Sequence, residues 1–90
     1  MKLSMRSCSV MENKERNSIV IVGHHKLCGD VKRFLIKEEY IFKGFNIPGT
    51  DSFGVEVRFE HDYDIEAFLE KWDTACKISS RKVQEYANSH

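Results

Sequence analysis

Long apolar runs, paired cysteines, phosphate-loop glycines and net charge are scarce or missing in this 90-residue chain, and each gap removes a class of function. Nowhere do the roughly 18 consecutive apolar residues of a membrane span stand together, and the opening MKLSMRSCSV lacks the apolar stretch of a signal peptide. Membrane insertion and secretion are therefore not expected. The cysteines, Cys8, Cys28 and Cys76, are odd in number and far apart, which fits no secreted disulfide framework and points to a reducing, cytoplasmic compartment. Fourteen basic residues balance fourteen acidic ones. A nucleic-acid contact would thus need a local basic patch, since the surface as a whole cannot neutralise phosphates.

What is present is an ordinary globular composition, 41% hydrophobic and 31% charged, in a chain whose length supports one core near the margin of stability. Residues 1–17 show neither a period of 2 nor one of 3.6 and end in a polar string, so they are expected to be a flexible tail, and residues 18–90 a single domain. On that reading a chain starting at Met11 would lose nothing of the fold. Residues 18–23 (SIVIVG) form a β-branched run closed by glycine, a strand. Asp30 is then expected to cap a helix over 31–39, in which Val31, Phe34, Leu35 and Glu38 share one side.

Residues 40–47 (YIFKGFNI) are aromatic and β-branched and run into Pro48-Gly49-Thr50-Asp51, a strand entering a turn. In residues 53–60, Phe53, Val55, Val57 and Phe59 alternate with Gly54, Glu56, Arg58 and Glu60, which predicts a strand with one wet face. A second helix begins near Asp62 or Asp64 and carries Ile65, Phe68, Leu69, Trp72 and Cys76 on one side. Beyond Lys77 the pattern supports either one long helix or a break at Ser79-Ser80 followed by a short helix or edge strand. The order β-α-β-β-α predicts an α+β fold with an antiparallel or mixed sheet and both helices on one face. It is similar to the split βαβ arrangement of ferredoxin-like folds, short of a fourth strand unless the C-terminal segment supplies it.

Chemistry is harder to place. His24, His25 and Cys28 cluster in the turn after the first strand and could ligate a metal or hold an activated thiol, but no C-x2-C pair accompanies them. The turn also lacks the G-x-x-x-x-G-K-[ST] spacing of a phosphate loop, and Asp30 would repel the phosphate. The acids Glu60, Asp62, Asp64 and Glu66 are explained as helix-start residues. No catalytic group or cofactor is expected.

Lys26, Lys32, Arg33 and Lys37 gather on and before the first helix, and Lys77, Arg81 and Lys82 near the C-terminus; the first group is the basic patch favoured for RNA or DNA. The third strand lacks the residues with which RNA-recognition motif domains stack bases, since Asp51 and Ser52 stand in the Lys/Arg-Gly places and Val55 in that of the second aromatic. The strand over 40–47 carries more apolar surface than one sheet face needs. Either the strand is regular, with Tyr40 and Phe42 on one apolar face and Ile41, Phe45 and Ile47 on the other, one of them covered by a second copy, a protein partner or the C-terminal segment, or a bulge at Gly44 gathers Tyr40, Phe42, Phe45 and Ile47 on one side. Tyr40, Ile41, Phe42 and Arg58 are accordingly the candidate partner-binding residues. The function expected is that of a small non-enzymatic binding or regulatory protein, such as an inhibitor, antitoxin-like protein or adaptor.

Overall fold

The computed structural model describes residues 5–88, with side chains described through Lys77. The chain forms an α+β domain in which β1 (Ser9–Asn13), β2 (Ser18–His24), α1 (Cys28–Lys37), β3 (Phe42–Asn46), β4 (Ser52–Arg58) and α2 (Asp62–Asn88) follow one another. The four strands make one sheet in the order β1-β2-β4-β3, with every neighbouring pair antiparallel. Because β2 and β3 both run against β4, they are parallel to each other, and α1 connects them across the strand inserted between. This is the split βαβ predicted from the strand and helix order.

The fourth strand comes from the other end of the chain. Residues 9–13 are paired along their whole length with β2, from Ser9 opposite Val22 to Asn13 opposite Ser18, so the expected tail is in large part an edge strand. Its sequence, SVMEN, shows no clear alternation because Met11 on the open side is apolar while Glu12 on the helix side is charged. Lys14 to Asn17 turn the chain back, with Asn17 in the left-handed region at φ 51° and its side-chain amide donating to the Phe59 carbonyl at 2.9 Å. Asparagine tolerates that conformation better than most residues. Upstream, Met5 is buried against the core.

Alternation decides which strand residues are buried. Ile19, Ile21, Phe53, Val55 and Val57 face the helices and are nearly inaccessible, pairing as Ile19 with Val57 and Ile21 with Val55. From the turn before α1, Leu27 packs down on them, from α1, Val31 and Leu35, and from α2, Ile65, Phe68, Trp72 and Cys76. The i, i+3, i+4 spacing of these apolar residues is what lets each helix present one continuous side to the sheet. Leu69, predicted on the same side of α2, sits at its margin and is 37% exposed.

The start of α1 differs from expectation. A short 3-10 turn over His25–Leu27 leads straight into Cys28, so Asp30 lies inside the first turn of the helix, paired with Arg33 at 3.5 Å, rather than capping it. Its end is a Schellman closure: Tyr40 N donates to Leu35 O at 2.9 Å and Glu39 N to Ile36 O at 3.1 Å, with Glu39 left-handed at φ 61°. That closure delivers Tyr40 into an aromatic cluster with Phe34, Phe59 and Phe68, its ring centroid 5.0 Å from that of Phe68. Glu38, an odd member of the apolar stripe, reaches across to Lys71 on α2 at 3.4 Å.

Between β3 and β4, Pro48 and Gly49 form the predicted turn, with Gly49 at φ 77° and Thr50 N donating to Ile47 O. Positive φ at the third turn position after proline is the signature of a type II turn and favours glycine. The C-terminal segment continues α2 to Asn88 as one helix, which excludes a break or edge strand after Ser79-Ser80 up to that residue.

Candidate protein-interaction surface

With both helices on one side, the opposite side of the sheet lies open. Strand register places three full rows on it: Asn13, Ser18, Arg58 and Ile41; Met11, Val20, Glu56 and Lys43; and Ser9, Val22, Gly54 and Phe45. Ile41 in the first row, Met11 in the second and Phe45 in the third are its exposed apolar residues. Phe45, opposite Gly54, lies across the glycine, where a Cβ would overlap its ring. The absent side chain lets the aromatic ring lie flat on the sheet and still leaves it 44% exposed.

Beside it, the Glu56 carboxylate accepts hydrogen bonds from Arg16 Nη2 at 3.2 Å and Ser18 Oγ at 3.3 Å and forms an ion pair with Arg58, whose Nε is 3.6 Å away. The hydroxyl of Ser18 explains how a fully buried polar residue is accommodated. Arg16, Arg58 and Lys43 against Glu56 leave a local surplus of two positive charges. These residues, with Val20, Ile41 and Phe45, line a shallow depression of about 550 Å³.

The partner-binding residues inferred from sequence divide two and two. Ile41, 77% exposed, and Arg58 stand on the open face. Tyr40 and Phe42 are half-buried and packed against the core, Phe42 on the helix side opposite Val57, although at the sheet edge Phe42 also borders the depression. The strand is regular through Gly44, with Lys43 opposite Glu56 and Phe45 opposite Gly54, so no bulge brings Phe42 and Phe45 to one side. Sequence reasoning put Phe45 on the face of Ile41 for a regular strand but left it out of the candidate residues, and it missed Val20 and the Arg16–Glu56 contact. Phe45 was legible from plain alternation once a bulge is rejected, whereas Arg16 was hidden by reading residues 1–17 as a tail.

The other candidate groups sit elsewhere. Lys26, Lys32, Arg33 and Lys37 are all exposed on the helix layer. Arg33 is paired with Asp30, and the Lys32 side chain runs over Gly44 at the sheet edge. His24 accepts a hydrogen bond from Lys26 N at 3.2 Å, and His25 Nδ1 lies 3.1 Å from Asp51 O, so both imidazoles serve the turn. Cys28 is half-buried at the start of α1. Among the described residues no three histidine, cysteine or acidic side chains stand close enough together to hold a metal ion, and no helix is long and apolar enough to cross a membrane.

Burial pushes the Cys8 thiol up to about 11, helped by nearby Cys76, whose own thiol burial also raises. Neither is poised as a thiolate nucleophile.

Fold and surface together define a small α+β sheet protein with one roofed and one uncovered face. In comparisons with known proteins, no family model, curated protein or solved structure matches the chain.

Proposed function

We propose that this chain is a small non-enzymatic binding protein, of the inhibitor, antitoxin-like or adaptor kind, that works by seating its open sheet face on another protein. The observation that carries this reading is the set of exposed Met11, Ile41 and Phe45, with half-buried Val20, around the Arg16–Glu56–Arg58 cluster. Exposed apolar side chains set beside charged groups are a common feature of protein contacts. Phe45 supplies the rigid aromatic anchor that commonly dominates such contacts. A protein partner suits this face better than nucleic acid, because Glu56 places a carboxylate at its centre and Phe45 is the one aromatic ring on its three rows. Free thiols at Cys8, Cys28 and Cys76 suit a reducing, cytoplasmic setting.

The basic residues of the helix layer support a second, weaker reading as an RNA- or DNA-binding patch. It would show as salt-sensitive binding abolished by charge reversal at Lys32, Arg33 and Lys37.

A displayed library of random peptides selects between these. Peptides enriched on the native protein are expected to lose affinity roughly thirtyfold or more on an Ile41→Ser, Phe45→Ser double variant, the size of a hot-spot loss of about 2 kcal/mol. Both positions are exposed, so the double variant keeps its circular dichroism spectrum. Equal recovery on the two proteins would refute the open face as the working surface.

A further inference from the structure

We infer that the partner contributes an extended, carboxylate-bearing strand that pairs with the outer edge of β3. This rests on the open face being the protein-binding surface and specifies what reaches it. Arg58 N donates to Ile41 O at 3.2 Å, so Ile41 and Arg58 form a hydrogen-bonded pair. The alternation of an antiparallel ladder then turns the backbone N–H and C=O groups of Lys43 and Phe45 toward β4 and those of Phe42, Gly44 and Asn46 outward. Gly44, at the middle of the outward row, carries no side chain to hinder an approaching backbone. An edge of this kind is a template for strand addition.

The side chains of an added strand would alternate between two hollows already present. On the open side lies the depression beside Ile41, Lys43 and Phe45; on the helix side lies one of about 480 Å³ bounded by Cys28, Lys32, Gly44 and Asn46. Each hollow holds a lysine. Lys43 stands in the first, and Lys32 crosses the second with Nζ 3.6 Å from the position a Gly44 Cβ would take. Apolar residues on the open side and carboxylates on the helix side match this edge.

The opposite edge, β1, has the reverse character. Glu12 lies on its helix side, and Asp62 and Glu66 line the adjoining hollow with Lys14 as the one base among them, so the net negative charge repels an acidic strand there. Inward-placed charge is a common guard against edge pairing. A second copy of this chain is also a poor occupant of β3, since pairing two β3 edges about Gly44 would bring two Lys32 ammonium groups together.

The test uses the full chain and a short synthetic peptide alternating valine and glutamate, followed by amide chemical shifts and calorimetry. Binding is expected to shift the amides of Phe42, Gly44 and Asn46 and to weaken with salt. Lys32→Glu should reduce affinity roughly tenfold or more, and so should replacing the glutamates by lysine. N-methylation of the peptide amides that face β3 should abolish binding.

Absence of binding by this peptide up to about millimolar concentration overturns the inference. So does binding that survives N-methylation of each of the two alternate sets of amides in turn, or that maps to β1. Concentration-dependent dimerisation of the free protein through β3 overturns it as well. In each of these cases, selection of displayed peptides that depend on Ile41 and Phe45 would leave the open-face reading standing; its loss there would remove both.

Discussion

Gly54 is the residue on which the open face most depends, since any side chain there would occupy the space filled by the Phe45 ring. Gly54→Ala should therefore lift Phe45 off the sheet and cost about 1–2 kcal/mol, measured by urea denaturation, with the ring shifts of Phe45 moving in the NMR spectrum. Glu39 makes the opposite case. It closes α1 in a left-handed conformation that a non-glycine residue adopts at a cost, and its backbone N–H donates to Ile36 O. Glu39→Gly is expected to stabilise the protein by about 1 kcal/mol in the same assay. Cys8 adds a pH dependence. Its folded-state thiol is raised from 9.0 to about 11 by burial and the proximity of Cys76, so the native state holds a proton that the unfolded chain has released. That contribution is complete below pH 9.0, declines through the interval and is lost once the pH passes about 11. Cys8→Ala should flatten the fall of thermal stability over this range relative to the native protein; an unchanged slope would contradict the burial of that thiol. None of these effects was visible in the linear chain, because left-handed φ, thiol burial and the meeting of Phe45 with Gly54 arise only when strands are in register.

At the scale of elements, residues that alternate or recur at helical spacing were legible and the rest were not. β2 and β4 follow from SIVIVG and from the alternation of Phe53, Val55 and Val57, and both helices from their apolar sides. β1 was illegible because an edge strand with Glu12 on its inner side breaks the alternation that identifies strands. The extent of α1 was misread for a related reason: the 3-10 turn His25–Leu27 supplies the helix entry that a side-chain cap was expected to give. Two consequences can be measured. A chain starting at Met11 removes buried Met5 together with half-buried Cys8 and Val10, and uncovers part of β2. It should be destabilised by about 3 kcal/mol or more in urea melts, where a dispensable tail would leave the midpoint unchanged. Tyr40→Ser cuts into the cluster of Phe34, Phe59 and Phe68. It should cost about 3 kcal/mol, so any loss of binding in that variant reports unfolding rather than a contact.

For the whole molecule, the two helices cover one side of a four-stranded sheet, and the proposed function rests on what they leave uncovered: the open face and the outer edge of β3. Of the candidate site, Ile41 and Arg58 were within reach of sequence reasoning, since they follow from strand periodicity. The division between roofed and open sides was not, because Tyr40 and Phe42 look as available as Phe45 until the register of β3 is known. Surplus positive charge on the open face and the lysines flanking Gly44 give the molecule an electrostatic direction that its zero net charge conceals. Hydrogen exchange of the β3 amides in the free protein tests this picture most directly. Lys43 and Phe45, bonded to β4, should exchange slowly while Phe42, Gly44 and Asn46 exchange fast; uniform protection along β3 would mean that its edge is already covered and that no partner strand can pair there.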